Sequence, residues 1–313
     1  MKNIGWVAIC APMLFACSEQ PSQEITTPST VSDSADSKIA AESAVSKVDV
    51  ISEIEAGKDY HSFANPSEVR VTHLDLDLTA DFETSKLSGS ATLTVERSAP
   101  NFNTVVLDTR ALDITSVTVN DEAVPFDMGD ADPELGTPLS VELPEGADKL
   151  TIAYSTSPEA SGVQWLTPAQ TAGKQHPFLF TQAQAMHARS FIPLQDSPQV
   201  RVTYTATIHT PEALLAVMSA SNDPTTARDG EYSFTMPQPV PSYLIALAIG
   251  DLKFKPMGER TGVYAEPSVL DAAAKEFEDT EAMLEVTEKT YGPYQWDRYD
   301  LLILPPSFPF GGM

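Results

Sequence analysis

Two segments of this chain alternate strictly between apolar and polar residues, and this pattern restricts the fold more than any other feature. Residues 74–78 read Leu-Asp-Leu-Asp-Leu and residues 91–95 read Ala-Thr-Leu-Thr-Val, as strands with one buried face do. Turn signals such as Ser88-Gly89 separate further short strand candidates, namely residues 104–108, 114–119, 139–143, 150–154, 178–181, 200–208, 214–218, 232–236 and 243–248. Many short strands without an intervening helix predict a mainly β, antiparallel β-sandwich domain over residues 60–254.

The pattern becomes helical in the last part of the chain. Residues 268–291 are predicted to form one helix that ends at Gly292-Pro293, with an apolar face made of Leu270, Ala273, Ala274, Phe277, Leu284 and Tyr291. Residues 299–304 then read as a buried strand. One helix and one strand cannot form a core, so residues 255–313 are expected to be the truncated start of a second domain.

The first residues have the form of an export signal. Lys2 precedes an apolar stretch, residues 4–15, that is too short to span a bilayer. The stretch ends in Leu-Phe-Ala before Cys17, which resembles the lipobox of bacterial lipoproteins. The resemblance implies removal of residues 1–16 and a diacylglycerol on the Cys17 thiol, with Ser18 favouring the outer membrane and a position facing the periplasm or the cell surface. The alternative is an ordinary signal peptide in which the cysteine is coincidental.

The segment after Cys17 is predicted to be a disordered tether. Residues 18–59 contain no aromatic side chain, so the segment cannot bury enough apolar surface to offset its ordering entropy. Cys10 would leave with the signal peptide, which excludes an intramolecular disulfide in the mature chain. The formal charge of −25 argues against nucleic acid as a partner.

Motifs for catalysis are absent from the sequence. No two of the five histidines are four residues apart, so there is no helical pair of zinc ligands; these are His61, His73, His176, His187 and His209. There is also no Gly-x-Ser-x-Gly elbow and no phosphate-binding glycine loop. The chain therefore provides no catalytic and no metal-binding candidates.

Two stretches nevertheless suit peptide binding. Gln182 and Gln184 would lie on the same face of an extended strand, and a primary amide can accept from an ammonium group and donate to a carbonyl. The alternative is a polar strand edge that leads into a turn. Gly311 and Gly312, between Phe310 and Met313, would let another backbone approach closely. The alternative there is a simple turn.

In this order the two stretches resemble the zinc metalloaminopeptidases, a family that includes aminopeptidase N, aminopeptidase B and leukotriene-A hydrolase. The resemblance extends over residues 60–313. It rests on Gln-Ala-Gln-Ala at 182–185 with the following His187, Arg189 and Asp-Ser-Pro at 196–198, on Tyr-Gly-Pro-Tyr-Gln-Trp at 291–296, on Tyr-Asp-Leu-Leu at 299–302 and on the run from Leu304 to Met313. The resemblance implies a saddle-like β domain followed by the opening of a thermolysin-like α/β catalytic domain.

The resemblance also implies roles for residues. Gln184 would hold the free α-amino group of a peptide, with Gln182 beside it, and substrate would contact Ala183, Ala185, Phe310, Gly311, Gly312 and Met313. Relatives often have tyrosine where Phe310 stands. In the family a glutamate follows the position of Met313, and a His-Glu-x-x-His zinc motif comes later.

The sequence thus predicts a fragment of a zinc-dependent aminopeptidase that removes N-terminal residues from peptides. Zinc belongs to the full-length enzyme, and the chain by itself is expected to be inactive because its sequence lacks the ligands. A non-catalytic β-sandwich lipoprotein that binds peptides or a protein is the competing interpretation. A pseudoenzyme with a degenerate zinc motif is a third.

Overall fold

The computed structural model describes residues 58–308. The predicted signal peptide, Cys17, most of the tether and Phe310 to Met313 lie outside the described residues. No helix in the described range is long and apolar enough to cross a membrane. The strands in this range are β1 (Val69–Asp81), β2 (Lys86–Arg97), β3 (Thr104–Thr109), β4 (Asp113–Val119), β5 (Glu122–Ala123), β6 (Phe126–Met128), β7 (Thr137–Glu142), β8 (Lys149–Ser155), β9 (Val163–Leu166), β10 (Phe178–Thr181), β11 (Arg201–His209), β12 (Leu215–Met218), β13 (Glu231–Pro241), β14 (Leu247–Gly250), β15 (Lys253–Pro256), β16 (Thr261–Ala265) and β17 (Tyr299–Leu302).

Seven of these strands form the largest sheet, in the order β13-β11-β1-β2-β8-β4-β5. The alternating residues of β1 behave as their pattern predicts, since Leu74, Leu76 and Leu78 are buried while Asp75 and Asp77 face solvent. Neighbouring strands are antiparallel except for β1 and β11, which run parallel. The long stretch of chain between these two strands makes the crossover possible.

Two smaller antiparallel sheets complete the β domain, one in the order β12-β14-β10-β9 and one in the order β3-β7-β6. All four residues are buried in each of β10, β12 and β14. The prediction of a mainly β fold with several antiparallel sheets is therefore confirmed. The predicted strand at 243–248 begins only at Leu247, because Ser242–Leu244 forms a 3-10 turn after Pro241.

The last described part contains helices and a small mixed sheet, β15-β16-β17. The predicted single helix is in fact two, α1 (Leu270–Glu276) and α2 (Thr280–Tyr291). The backbone N–H and the hydroxyl of Thr280 both donate to the carbonyl of Phe277, at 3.0 and 2.7 Å. A continuous helix would need that carbonyl for the residue after Thr280, so the helix breaks here.

The strand predicted at 299–304 is present as β17 (Tyr299–Leu302), but it is shorter than predicted and is not buried. Among residues 58–308, β17 pairs only with β16, in parallel, and therefore forms an edge of the described sheet. Tyr299 is 43% exposed for that reason. Tyr264 of β16 belongs to the main hydrophobic core, and Leu304 and Phe308 pack against that core. These contacts place the segment that follows β17 beside the β domain.

Candidate functional site

The candidate site begins where β10 ends. The backbone N–H of Gln182 donates to the carbonyl of Gly162 at 2.9 Å and so extends the pairing of β10 with β9 by one residue. The strand stops there because the carbonyl of Ala183 accepts from the N–H of His187 at 2.8 Å, which closes a turn. The extended conformation predicted for the Gln-Ala-Gln-Ala segment is therefore wrong beyond Gln182.

The four predicted residues differ in accessibility. Gln182 is half-buried, and Ala183 is only 3% exposed. Gln184 and Ala185, which are joined by a cis peptide bond, are both exposed in the turn. A ligand at this surface can therefore reach the amide of Gln184 directly. Ala183 instead serves the packing of the turn.

Arg189 fixes the chain that follows this turn. Its side chain is fully buried and its Nε atom donates to Asp196 Oδ2 at 3.0 Å. Its two terminal nitrogens donate to the carbonyls of Leu135 and His61 at 2.8 and 2.7 Å. Because a buried charge needs a partner for each of its polar groups, these contacts hold the turn in one place.

Two carboxylates complete the network around Arg189. Asp196 Oδ1 accepts from the hydroxyl of Ser242 at 2.6 Å, and the backbone N–H of Asp196 donates to Asp108 Oδ2 at 2.9 Å. Asp108 also accepts from the hydroxyl of Ser62 at 2.6 Å. Burial raises the pKa of the Asp108 carboxyl, and the Arg189 guanidinium, 3.8 Å away, opposes that shift. The network thus joins five separate segments of the chain, at 61–62, 108, 135, 189–196 and 242, next to the turn of the candidate site.

His187 closes the turn on its other side. Its Nδ1 atom accepts from the hydroxyl of Ser161 at 2.9 Å and lies 3.3 Å from a terminal nitrogen of Arg110. Burial and the positive charge of Arg110 lower the pKa of His187, so the ring is neutral at pH 7 and can accept. The sequence matched His187 and Arg189 to the family; the structure shows that both position the turn.

Residues 307 and 308, which precede the second predicted stretch, lie beside the end of the β domain that carries β10. The ring of Phe308 contacts that of Phe180 in β10 edge to face, with centroids 5.4 Å apart. The hydroxyl of Ser307 donates to the carbonyl of Gln170 at 3.3 Å. The chain therefore enters the glycine-rich motif beside the strand that leads to Gln182. Phe310, Gly311, Gly312 and Met313 themselves lie outside the described residues.

Glu266 supports the loop against which Ser307 rests, and the sequence interpretation missed it. The Glu266 carboxylate is 5% exposed and accepts from the backbone N–H groups of Ala172 and Gly173, at 2.7 and 3.0 Å. A Cβ atom on Gly173 would lie 3.3 Å from that carboxylate. Glu266 precedes a proline at a helix start, and no local pattern reveals partners more than 90 residues away.

The described residues do not form a zinc site. Between residues 58 and 308 there is no group of three or more histidine, cysteine, aspartate or glutamate side chains arranged to hold a metal ion. His187, the histidine at the candidate site, is engaged with Ser161 instead. The geometry supports binding and orientation of a ligand, and no chemical step is assigned to a metal held by these residues.

Comparison with known proteins gives a consistent family assignment. The sequence profile of the Peptidase M1 N-terminal domain matches residues 70–244. Leukotriene A-4 hydrolase of Xenopus laevis is 42% identical over 265 residues, which are 82% of this chain and 44% of that protein. Leucine aminopeptidase 2 of Yarrowia lipolytica is 43% identical over 265 residues, 82% of this chain and 40% of that protein.

Solved structures agree with the sequence relatives. Native yeast LTA4 hydrolase superposes with a TM-score of 0.78 at 34% identity, covering 83% of this chain and 42% of that one. An M1 zinc metallopeptidase from Deinococcus radiodurans gives 0.61 at 25% identity, covering 76% of this chain and 57% of that one. The chain spans about two-fifths of the length of the curated relatives it matches. Because the domain profile covers more than half of the chain, this protein belongs to the M1 zinc metallopeptidase family, whose N-terminal domain it carries.

Proposed function

We propose that this chain is the front part of a zinc-dependent aminopeptidase and supplies one wall of its peptide-binding site. The observation that supports the proposal is the contact between Phe180, two residues before Gln182, and Phe308, two residues before Phe310. One motif presents the exposed amide of Gln184, and the other continues from Phe308 into the glycine-rich stretch.

The wall suits a peptide with a free N-terminus. The carbonyl of a glutamine amide accepts from an ammonium group, and its NH2 donates to a peptide carbonyl. Gln184 is exposed for such contacts, and Gln182 lies beside it at the end of β10. The Arg189 network behind them keeps these amides in place before a ligand arrives, which reduces the entropy cost of binding.

We propose that zinc is bound by the full-length enzyme and not by the residues of this chain. In the full-length enzyme a bound zinc ion supplies a nucleophilic water of lowered pKa and polarises the scissile carbonyl. The residues described here bind the peptide and orient it. We therefore propose that residues 18–313 alone, whose sequence lacks the zinc motif, do not hydrolyse peptides.

Reading the gene past the codon for Met313 and assaying its product tests the proposal. An open frame with Glu-Asn and then His-Glu-x-x-His is expected, and its purified product should bind one zinc ion and cleave an aminoacyl-anilide. Residues 18–313 alone should do neither. A stop codon directly after Met313 would overturn the proposal in favour of the non-catalytic lipoprotein, and so would zinc-dependent cleavage by residues 18–313.

A substitution in the expressed product locates the binding wall. Gln184→Ala removes one hydrogen bond to a charged group, so KM for an aminoacyl-anilide is expected to rise about tenfold or more. Gln175→Ala, which changes an amide outside the 182–185 motif, is the matched control and should leave KM unchanged. An equal KM for the Gln184→Ala enzyme and the wild type would show that Gln184 does not bind the substrate.

A further inference from the structure

Gln164 in β9 has a buried amide oxygen without a hydrogen-bond partner among the described residues. Its amide nitrogen makes one long contact, donating to the carbonyl of Ser161 at 3.4 Å. A buried acceptor that stays unpaired costs about 1–3 kcal/mol, and such atoms in a native protein call for an explanation. The unpaired carbonyl indicates that a donor for it comes from elsewhere.

The position of Gln164 shows where such a donor would come from. Gln164 lies directly opposite Phe180 in the antiparallel pair of β9 and β10, so the two side chains are on the same face of the sheet. Phe180 is the residue whose ring contacts Phe308. Gln182 is two residues further along the chain and so follows on that same face. Gln164 therefore faces the same side as the proposed wall.

The backbone beside Gln164 is fixed, whereas the amide of its side chain makes a single long hydrogen bond. A Cβ atom on Gly162 would lie 2.6 Å from the carbonyl of His187 and 2.9 Å from Ser190 Oγ, so the backbone at Gly162 packs directly against the turn at 187–190. The side chain of Gln164 is half-buried, and its amide makes one hydrogen bond, of 3.4 Å. Because the amide oxygen is buried, the amide must rotate to present its carbonyl to a ligand, and that rotation gives up only this one long hydrogen bond.

We propose that Gln164 is a third amide of the peptide-binding wall, whose carbonyl accepts an N–H group of the bound peptide. This inference rests on the proposed function. The N–H group is either the terminal ammonium or a backbone amide of the peptide, and both are donors that a neutral carbonyl accepts. Binding a peptide removes the unpaired acceptor, so Gln164 adds to affinity beyond Gln182 and Gln184.

Kinetics of the product of the full open reading frame test this role, with an aminoacyl-anilide and a tripeptide as substrates. Gln164→Leu keeps the size of the side chain and removes the acceptor, so KM is expected to rise about tenfold while kcat changes less than about twofold. Gln164→Glu keeps an acceptor and is expected to retain the wild-type KM or lower it. A purely structural role would not be rescued by glutamate.

The control is Gln238→Leu, which removes a half-buried amide that donates to the carbonyl of Gln295 at 3.1 Å; its KM should equal that of the wild type. A rise in KM with both substrates assigns the donor as the ammonium or the N–H of the scissile amide, which both substrates have, and a rise with the tripeptide alone assigns it as a later backbone N–H. An unchanged KM for Gln164→Leu, or no rescue by Gln164→Glu, overturns the role of Gln164 alone. An inactive wild-type enzyme overturns the proposed function itself, and the role of Gln164 with it.

Discussion

Arg189 is a charged residue with no exposed surface, and it marks the position where a single substitution is expected to be most damaging. In Arg189→Met the carboxylates of Asp196 and Asp108 remain buried after their cation is removed. Breaking a buried ion pair from one side costs about 3–5 kcal/mol. The free energy of unfolding of residues 18–313, measured with urea, is expected to fall by that amount.

The matched control is Arg70→Met, because Arg70 is only partly buried and donates to the carbonyl of Gln199 near the surface. It should change the free energy of unfolding by less than about 0.5 kcal/mol. If Arg189→Met and Arg70→Met lowered the free energy of unfolding equally, burial of the ion pair would not explain the loss of stability in Arg189→Met.

His187 gives the domain a measurable pH dependence. Because its pKa is lowered in the folded protein, protonation favours the unfolded chain. The contribution of His187 to stability is complete above its unfolded pKa of about 6.5 and is lost as the pH falls from there towards the folded pKa. His187→Asn keeps a polar atom near Ser161 and removes the titration. The stability of the wild type relative to this variant should therefore fall between pH 7 and pH 5, as measured by the urea midpoints of both proteins. A difference that stays constant over this range would contradict the lowered pKa of His187 in the folded protein.

The residues of the candidate site could be named from the sequence, but their conformations could not. Gln182 and Gln184 carry the family motif, yet the strand ends between them because the N–H of His187 bonds to the carbonyl of Ala183. The partners of Arg189 at Leu135 and His61 are 54 and 128 residues away in the chain. No local pattern encodes a contact of that kind.

At the scale of elements, alternation predicted the strands that have one buried face. β1 and β2 extend beyond the predicted segments; β2 keeps its alternation of buried and exposed residues, whereas in β1 a bulge between Val71 and His73 shifts the alternation by one residue. Periodicity does not indicate which strands become neighbours, so the parallel pairing of β1 with β11 was not predicted. β9 was missed because a four-residue strand with mixed burial, Val163–Leu166, carries too little pattern. That strand holds Gln164.

Helix α2 is the element that proteases are expected to reach first. Tyr291 at its end is 85% exposed, and Met283 and Val286 are 65% and 61% exposed. Few buried apolar contacts mean a low cost of local opening. Chymotrypsin should therefore cut residues 18–313 after Tyr291 before it cuts within residues 69–250, as mass spectrometry of a time course would show. Equal rates in both regions would contradict this view of α2.

Arg260 determines how strongly α2 is held. Its guanidinium makes two hydrogen bonds to the carboxylate of Glu288, at 2.9 and 3.0 Å, and one to Glu281 at 3.1 Å. Arg260→Met removes all three and should speed cleavage after Tyr291. The control is Lys255→Met, which removes an ion pair with Asp271 that is exposed to solvent and therefore contributes little to stability. It should leave the rate of cleavage unchanged.

At the scale of the whole molecule, the excess of acidic residues should attract the positively charged N-terminus of the proposed peptide substrate. The chain has 44 acidic and 19 basic residues, and a field of one sign raises the local concentration of oppositely charged ligands. A peptide with a free N-terminus carries a positive charge on the end that Gln184 is proposed to bind. The acidic composition, which argues against nucleic acid as a partner, therefore favours the encounter with such a peptide.

We propose that Cys17 carries a lipid that anchors the protein to a bacterial membrane. Expressed in a bacterium with the lipoprotein pathway, the wild-type chain should incorporate labelled palmitate and sediment with membranes, whereas Cys17→Ala should do neither. Cys10→Ala is the matched control, because Cys10 lies in the predicted signal peptide and its loss should leave labelling intact. Removal of the lipid should leave the urea midpoint of the β domain unchanged, and labelling of Cys17→Ala would overturn the anchor.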